Sequence, residues 1–156
     1  HAEFNIYFNP KAAEKVFSSC DNIVVLPLDI TEKLLFTPAM AEDIMSNSPN
    51  NLTQFISDLC SFMAEANLRY RQTRGSKGFL VHDGAVVAYI FYPETLLFRR
   101  GKVEIETQGQ HTLGKTFCDE RFIAKTDANA WIAVEVDKEG LLASLLEDFK
   151  FLCMNS

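Results

Sequence analysis

The sequence predicts an α/β fold: an open, mostly parallel sheet with helices on both faces, followed by a small antiparallel section. Three observations carry this expectation. A wholly apolar, partly β-branched run, Ile23 to Leu26, directly follows a helical pattern, which suits a strand buried in a parallel sheet. Helical periodicity dominates the chain as far as Tyr92. Beyond it the period shortens to two, as Val103 and Ile105 alternate with Glu104 and Glu106, and Ile132, Val134 and Val136 with Ala133 and Glu135.

Taken in order, Glu3-Phe4-Asn5 is read as lying on one strand, with Glu3 and Asn5 on the same face because side chains alternate. Asn9-Pro10 starts a helix, because Asn caps and Pro sits where its missing N–H costs nothing. Ala13, Val16, Phe17 and Cys20 share one face of it. After the apolar run come Asp29 and Thr31, read as capping the next turn. Thr37-Pro38 opens a second helix that ends in the polar loop Ser46 to Asn51. The clearest helix follows, with Leu52, Phe55, Ile56, Leu59, Phe62, Met63 and Ala66 at inward-facing spacing. Arg69 to Gly78 reads as a helix end running into a mobile loop. Ala85 to Tyr92 reads as a buried helix capped by Asp83. Thr112 to Cys118 reads as a strand joined through a Gly109-Gln110 turn, and Trp131 as core. Leu141, Leu142, Leu145, Leu146 and Phe149 stripe a closing helix.

Composition narrows the function classes. The 156 residues amount to about one domain, and 47% hydrophobic with 23% charged residues is ordinary globular make-up. Fifteen Lys and Arg against 21 Asp and Glu leave a net charge of −6, which offers no basic footprint for nucleic acid. No apolar run approaches the ~20 residues of a membrane helix. Four cysteines lie far apart without metal-site spacing, so the thiols are expected to be free and the compartment cytoplasmic. The chain begins at His1, inside what reads as ordered structure, and is expected to be a piece of a longer protein.

Three groups of residues could carry chemistry. His82-Asp83 stands where an apolar segment meets a helix, a preferred place for ligand groups in an open α/β sheet. There a His can donate a proton near neutral pH, and an Asp can bind a hard cation through oxygen. Spacing by itself favours the plainer reading, Asp83 as a helix cap. Glu3 and Asn5, a carboxylate beside an amide, can accept and donate hydrogen bonds to a vicinal diol, or can simply be polar residues facing solvent. Tyr70, within Arg69-Tyr70-Arg71, could stack over a planar ligand from the loop, although such segments are usually plain connectors. No P-loop, G-x-G-x-x-G, H-E-x-x-H or G-x-S-x-G occurs.

Three segments bring a family into view. Ala2-Glu3-Phe4-Asn5 through Ala13 resembles the "AEFN…DPEAA" segment of the inosine–uridine preferring nucleoside hydrolases. Pro27-Leu28-Asp29-Ile30-Thr31 resembles that family's "PLDVT", and Val81-His82-Asp83-Gly84-Ala85-Val86-Val87-Ala88-Tyr89 its "HDPLAVAY". The segments fall in the family's order, and the likeness weakens after about Phe98. The resemblance implies that residues 1–156 form the carboxyl half of a nucleoside-hydrolase-like domain, without the amino-terminal half that carries "DTDPGxDD". It implies hydrolysis of the N-glycosidic bond of a ribonucleoside, as in purine and pyrimidine salvage, by the complete domain and not by this chain alone. Glu3 and Asn5 would bind ribose hydroxyls, His82 would serve as acid to the leaving base, Asp83 would ligate calcium, and Tyr70 would contact the base. The calcium site would be incomplete in this chain. The expected partners are the ribonucleoside, the missing half and, through a bare sheet edge, further copies of the chain. The alternative is an α/β binding or interaction module that keeps the scaffold without the chemistry.

Overall fold

A computed structural model describes residues 2–70, 73, 75–119 and 127–155. The chain forms a mixed α/β structure and divides into two compact units, residues 1–28 with 97–135, and residues 29–96 with 136–156.

The first unit opens with α1 (Phe4–Phe8), where a strand is predicted. The cause is local: the Glu3 carboxylate accepts the N–H of Ile6 at 3.0 Å and so caps a helical turn before any partner strand can pair. Then α2 (Pro10–Ser19) begins as predicted, with the Asn9 side chain accepting the Ala12 N–H at 3.1 Å. The sheet comprises β1 (Ile23–Val25), β4 (Leu96–Ile105), β5 (Thr116–Asp119) and β6 (Ala130–Val136), in the order β1-β6-β4-β5. The strand β1 pairs with β6 in parallel, Ile23 opposite Ala130 and Val25 opposite Ile132. In contrast, β4 and β5 are antiparallel, Val103 opposite Cys118. Val103, Ala130 and Ile132 are buried beneath Phe17, Ile23 and Val25. Asn129 stitches this core, since its Nδ2 donates to the carbonyls of Phe17 (2.8 Å) and Val103 (2.9 Å) while its Oδ1 accepts the Val103 N–H at 2.8 Å.

Two expectations fail in this unit. Val24, at the centre of β1, stands exposed rather than buried on both faces. Trp131 is also exposed, and the Arg100 guanidinium lies 5.5 Å from its ring centroid, so a cation–π contact takes the place of core packing.

The second unit contains α3 (Leu28–Thr31), β2 (Leu35–Phe36), α4 (Pro38–Asn47), α5 (Asn51–Arg69), β3 (Phe79–Leu80), α6 (His82–Phe91), a 3₁₀ turn (Pro93–Thr95) and α7 (Lys138–Met154). The division falls at residue 28, so most of α3 belongs here. Its core gathers Phe36, Ala41, Ile44, Cys60 and Cys153, with Met40, Ile56, Phe79 and Leu146 packed on them. At the start of α5, Asn50 Oδ1 accepts the Thr53 N–H and Thr53 Oγ1 accepts the Asn50 N–H, each at 2.9 Å. This reciprocal cap explains a threonine that is almost wholly buried. Asn50 also donates to the Cys153 carbonyl at 2.8 Å, tying the start of α5 to the end of α7.

The inward faces of two helices differ from the sequence pattern. In α5 the buried positions are Thr53, Cys60 and Asn67, whereas Phe55, Leu59 and Phe62 are exposed. In α6 only Ala85 and Ala88 are buried, and Ile90 (70%) and Phe91 (69%) stand open, so the helix is not buried as expected. An apolar sequence permits burial but does not supply the neighbours that bury it. No disulfide joins the four cysteines; Cys20 and Cys118 are exposed and Cys60 and Cys153 buried. Burial pushes the Cys60 thiol above its usual range. Among the described residues no helix is long and apolar enough to cross a membrane.

Candidate active site

His82 is the first residue of α6 and is half-buried. Its Nδ1 lies 2.8 Å from Oγ1 of Thr31, which is 3% exposed and 51 residues earlier. A short chain of backbone contacts creates this meeting. β2 and β3 pair antiparallel, Leu35 opposite Leu80 and Phe36 opposite Phe79, and the Val81 N–H donates to the Leu34 carbonyl at 3.0 Å. The end of α3 is thereby laced to the start of α6. Gly78 permits the lacing: its φ is +141°, and a Cβ there would come within 2.4 Å of the Phe36 carbonyl oxygen.

Asp83 follows in the first turn of α6, exposed. It does not cap the helix as expected, because the capping position belongs to Val81, which makes no side-chain cap bond. Two residues beyond the cap, in the first turn, the Asp83 carboxylate meets the positive end of the helix dipole instead. Leu35 and Leu80, with Asp29, Glu32, Lys33 and Ser76, line a hollow of about 360 Å³ in the same unit.

Glu3 and Asn5 belong to the first unit. They are neighbours, as predicted, but through a helical turn and not through strand alternation: Asn5 Nδ2 donates to Glu3 Oε1 at 3.1 Å. Beside them Ala2, Phe4, Tyr7, His111, Leu113 and Lys115 line a hollow of about 330 Å³. Gly114 (φ +78°) turns the chain there against Tyr7, whose Cα a Cβ would approach to 2.9 Å. His111 carried no expected role, and no spacing in the sequence links it to residues 2–7. Tyr70 closes α5, its N–H donating to the Ala66 carbonyl at 3.0 Å and its side chain 73% exposed. Its neighbour Arg71, part of the expected loop, lies outside the described residues.

Whether these side chains fit a calcium ion can be tested on the donors present. Calcium takes ~6–8 oxygens. Among the described residues no group of three or more His, Cys, Asp and Glu side chains is arranged to hold a metal ion. Asp83 therefore stands without a cluster of further carboxylate, imidazole or thiolate donors among the described residues.

The model of the inosine-uridine preferring nucleoside hydrolase family matches residues 1–143. The chain belongs to this family. It is similar to the pyrimidine-specific ribonucleoside hydrolase RihA of Salmonella schwarzengrund (strain CVM19633), with 34% identity over 150 residues, covering 96% of this chain and 47% of the relative. Among solved structures it is similar to a purine-preferring ribonucleoside hydrolase from Gardnerella vaginalis, with a TM-score of 0.87 and 22% identity over 99% of this chain and 48% of that one. It is also similar to a plant nucleoside hydrolase, with a TM-score of 0.78 and 25% identity over 96% of this chain and 47% of that one. The chain thus spans about half the length of the nucleoside hydrolases it matches.

Thr31 is the residue that sequence reasoning missed. It stands at the end of the "PLDIT" segment, where the sequence suggests only a turn cap, although that segment and "HD" are two of the three likenesses to the family. The clue available was that both segments border apolar runs, and neither spacing nor period says that they touch.

Proposed function

We propose that this chain forms part of a ribonucleoside hydrolase that cleaves the N-glycosidic bond and releases base and ribose. The observation that carries the reading is the family match across residues 1–143, with His82 held at the first turn of α6 by a buried hydroxyl. Cleavage consumes one water, whose oxygen ends on the anomeric carbon while a proton ends on the base. The transition state is oxocarbenium-like, as in other glycosidases.

In this reading His82 gives its proton to the leaving base as the C–N bond breaks, which removes the cost of expelling an anion. Glu3 and Asn5 hold the ribose hydroxyls, the carboxylate accepting and the amide donating, and the carboxylate adds negative field near the developing positive charge. Tyr70 lies over the base. Asp83 would supply one oxygen to a calcium ion, and the remainder of the fold would pack on the exposed apolar side of α6. Calcium, when bound, would orient diol and water. Cysteines without a disulfide fit a reducing cytoplasm and a salvage role there.

The test is nucleoside turnover by the full-length protein, followed by chromatography of the released base from inosine and uridine. Equimolar base and ribose are expected, and the 156-residue chain alone should not cleave nitrophenyl riboside. Ligand binding by the full-length protein without base release from any nucleoside would replace this reading with that of a binding module.

A further inference from the structure

Resting on the reading of His82 as acid, we propose that Thr31 is the positioning residue that engages Nδ1 and so turns Nε2 toward the leaving base. An imidazole presents two nitrogens, and which one meets the ligand is decided by what the other is bonded to. Here Nδ1 is engaged, 2.8 Å from the Thr31 hydroxyl. A hydroxyl can donate to a bare Nδ1 or accept from Nδ1–H, and in both cases Nε2 is left for the ligand.

The hydroxyl is itself fixed. Thr31 is 3% exposed, and its chain neighbour Ile30 is 1% exposed. The Leu34 N–H donates to the Thr31 carbonyl at 3.1 Å, and the Leu34 carbonyl accepts the Val81 N–H at 3.0 Å. One residue, Leu34, therefore links the backbone of Thr31 to the residue preceding His82. A β-branched side chain has few χ1 choices, so Oγ1 is held where Nδ1 arrives.

The experiment compares Thr31→Val and Thr31→Ser in the full-length protein. Valine keeps the shape and removes the hydroxyl, whereas serine keeps the hydroxyl. Thr31→Val should lower kcat for inosine about 10²-fold with KM little changed, the scale of a small misplacement of a reacting group, and Thr31→Ser should recover most of the loss. Nitrogen-15 spectra of the His82 ring should show a hydrogen-bonded Nδ1 in the wild type and in Thr31→Ser, but not in Thr31→Val. An unchanged Nδ1 signal in Thr31→Val, or a folded Thr31→Ser as slow as Thr31→Val, would overturn the proposal. If the wild type releases no base, the acid role fails, and a proposal built on that role falls with it. The ring spectra then report separately whether the Thr31–His82 contact exists.

Discussion

The Asn5 amide donates to Glu3 Oε1 at 3.1 Å while Glu3 Oε2 accepts the Ile6 N–H at 3.0 Å. One carboxylate thus shapes the turn and aligns the amide beside it. In the full-length protein, Glu3→Ala removes both functions. It should lower kcat/KM for a ribonucleoside about tenfold to a hundredfold, the range of one charged hydrogen bond. The same change should matter less for a 2′-deoxyribonucleoside, which lacks one of the hydroxyls to be held. Equal losses on both substrates would count against diol binding.

His82→Ala should lower kcat for inosine about 10²–10⁴-fold, the contribution of a positioned general acid, with nucleoside affinity nearly unchanged. Nitrophenyl riboside should be cleaved by the variant almost as fast as by the wild type, because nitrophenolate departs without a proton. Parallel losses on both substrates would take the acid role away from His82.

Asp83→Asn should weaken calcium binding by the full-length protein, and Asp83→Ala should weaken it further, since the first keeps an oxygen and the second keeps none. Titration calorimetry reads both. Unaltered affinity in Asp83→Ala would remove this carboxylate from the metal.

Asn129→Ala should cost about 1–3 kcal/mol of stability, because backbone groups of Phe17 and Val103 lose their partner. A fall in the urea midpoint at constant slope is the expected sign.

Glu106 sets an acid-side dependence. The N–H groups of Gln108 (2.8 Å) and Gly109 (2.9 Å) donate to its Oε1 and hold its carboxyl below the usual carboxylate value. A carboxylate depressed by folding stabilises above its unfolded value, and that gain is lost as pH falls through the folded one. Glu106→Gln should therefore narrow the gap in melting temperature between neutral and acid solution, and an unaltered gap would show that the turn does not sense this charge.

Much of the local structure is legible in the sequence. Asn9-Pro10, Thr37-Pro38 and the alternation about Val103 and Ile132 declare themselves because caps and periods act within a few residues. Glu3-Phe4-Asn5 misleads for the same reason, since the five residues of α1 are too few to display a period of 3.6 and a polar–apolar–polar triplet imitates a strand. The membership of His82, Asp83, Glu3 and Asn5 in family segments was legible as well, as pattern and not as geometry.

Burial and long-range meeting were decided elsewhere. The apolar sides of α5 and α6 look alike in sequence, yet exposure depends on which elements lie against them. The contact of Thr31 with His82 spans 51 residues and exists because β2 and β3 pair and Gly78 lets them close. Sequence by itself determined which chemical groups are on hand, an imidazole, two carboxylates and an amide among them, because side-chain chemistry travels with the residue. Only the tertiary structure decided which nitrogen of the imidazole is engaged, because that depends on a hydroxyl brought to it by the folding of the chain between.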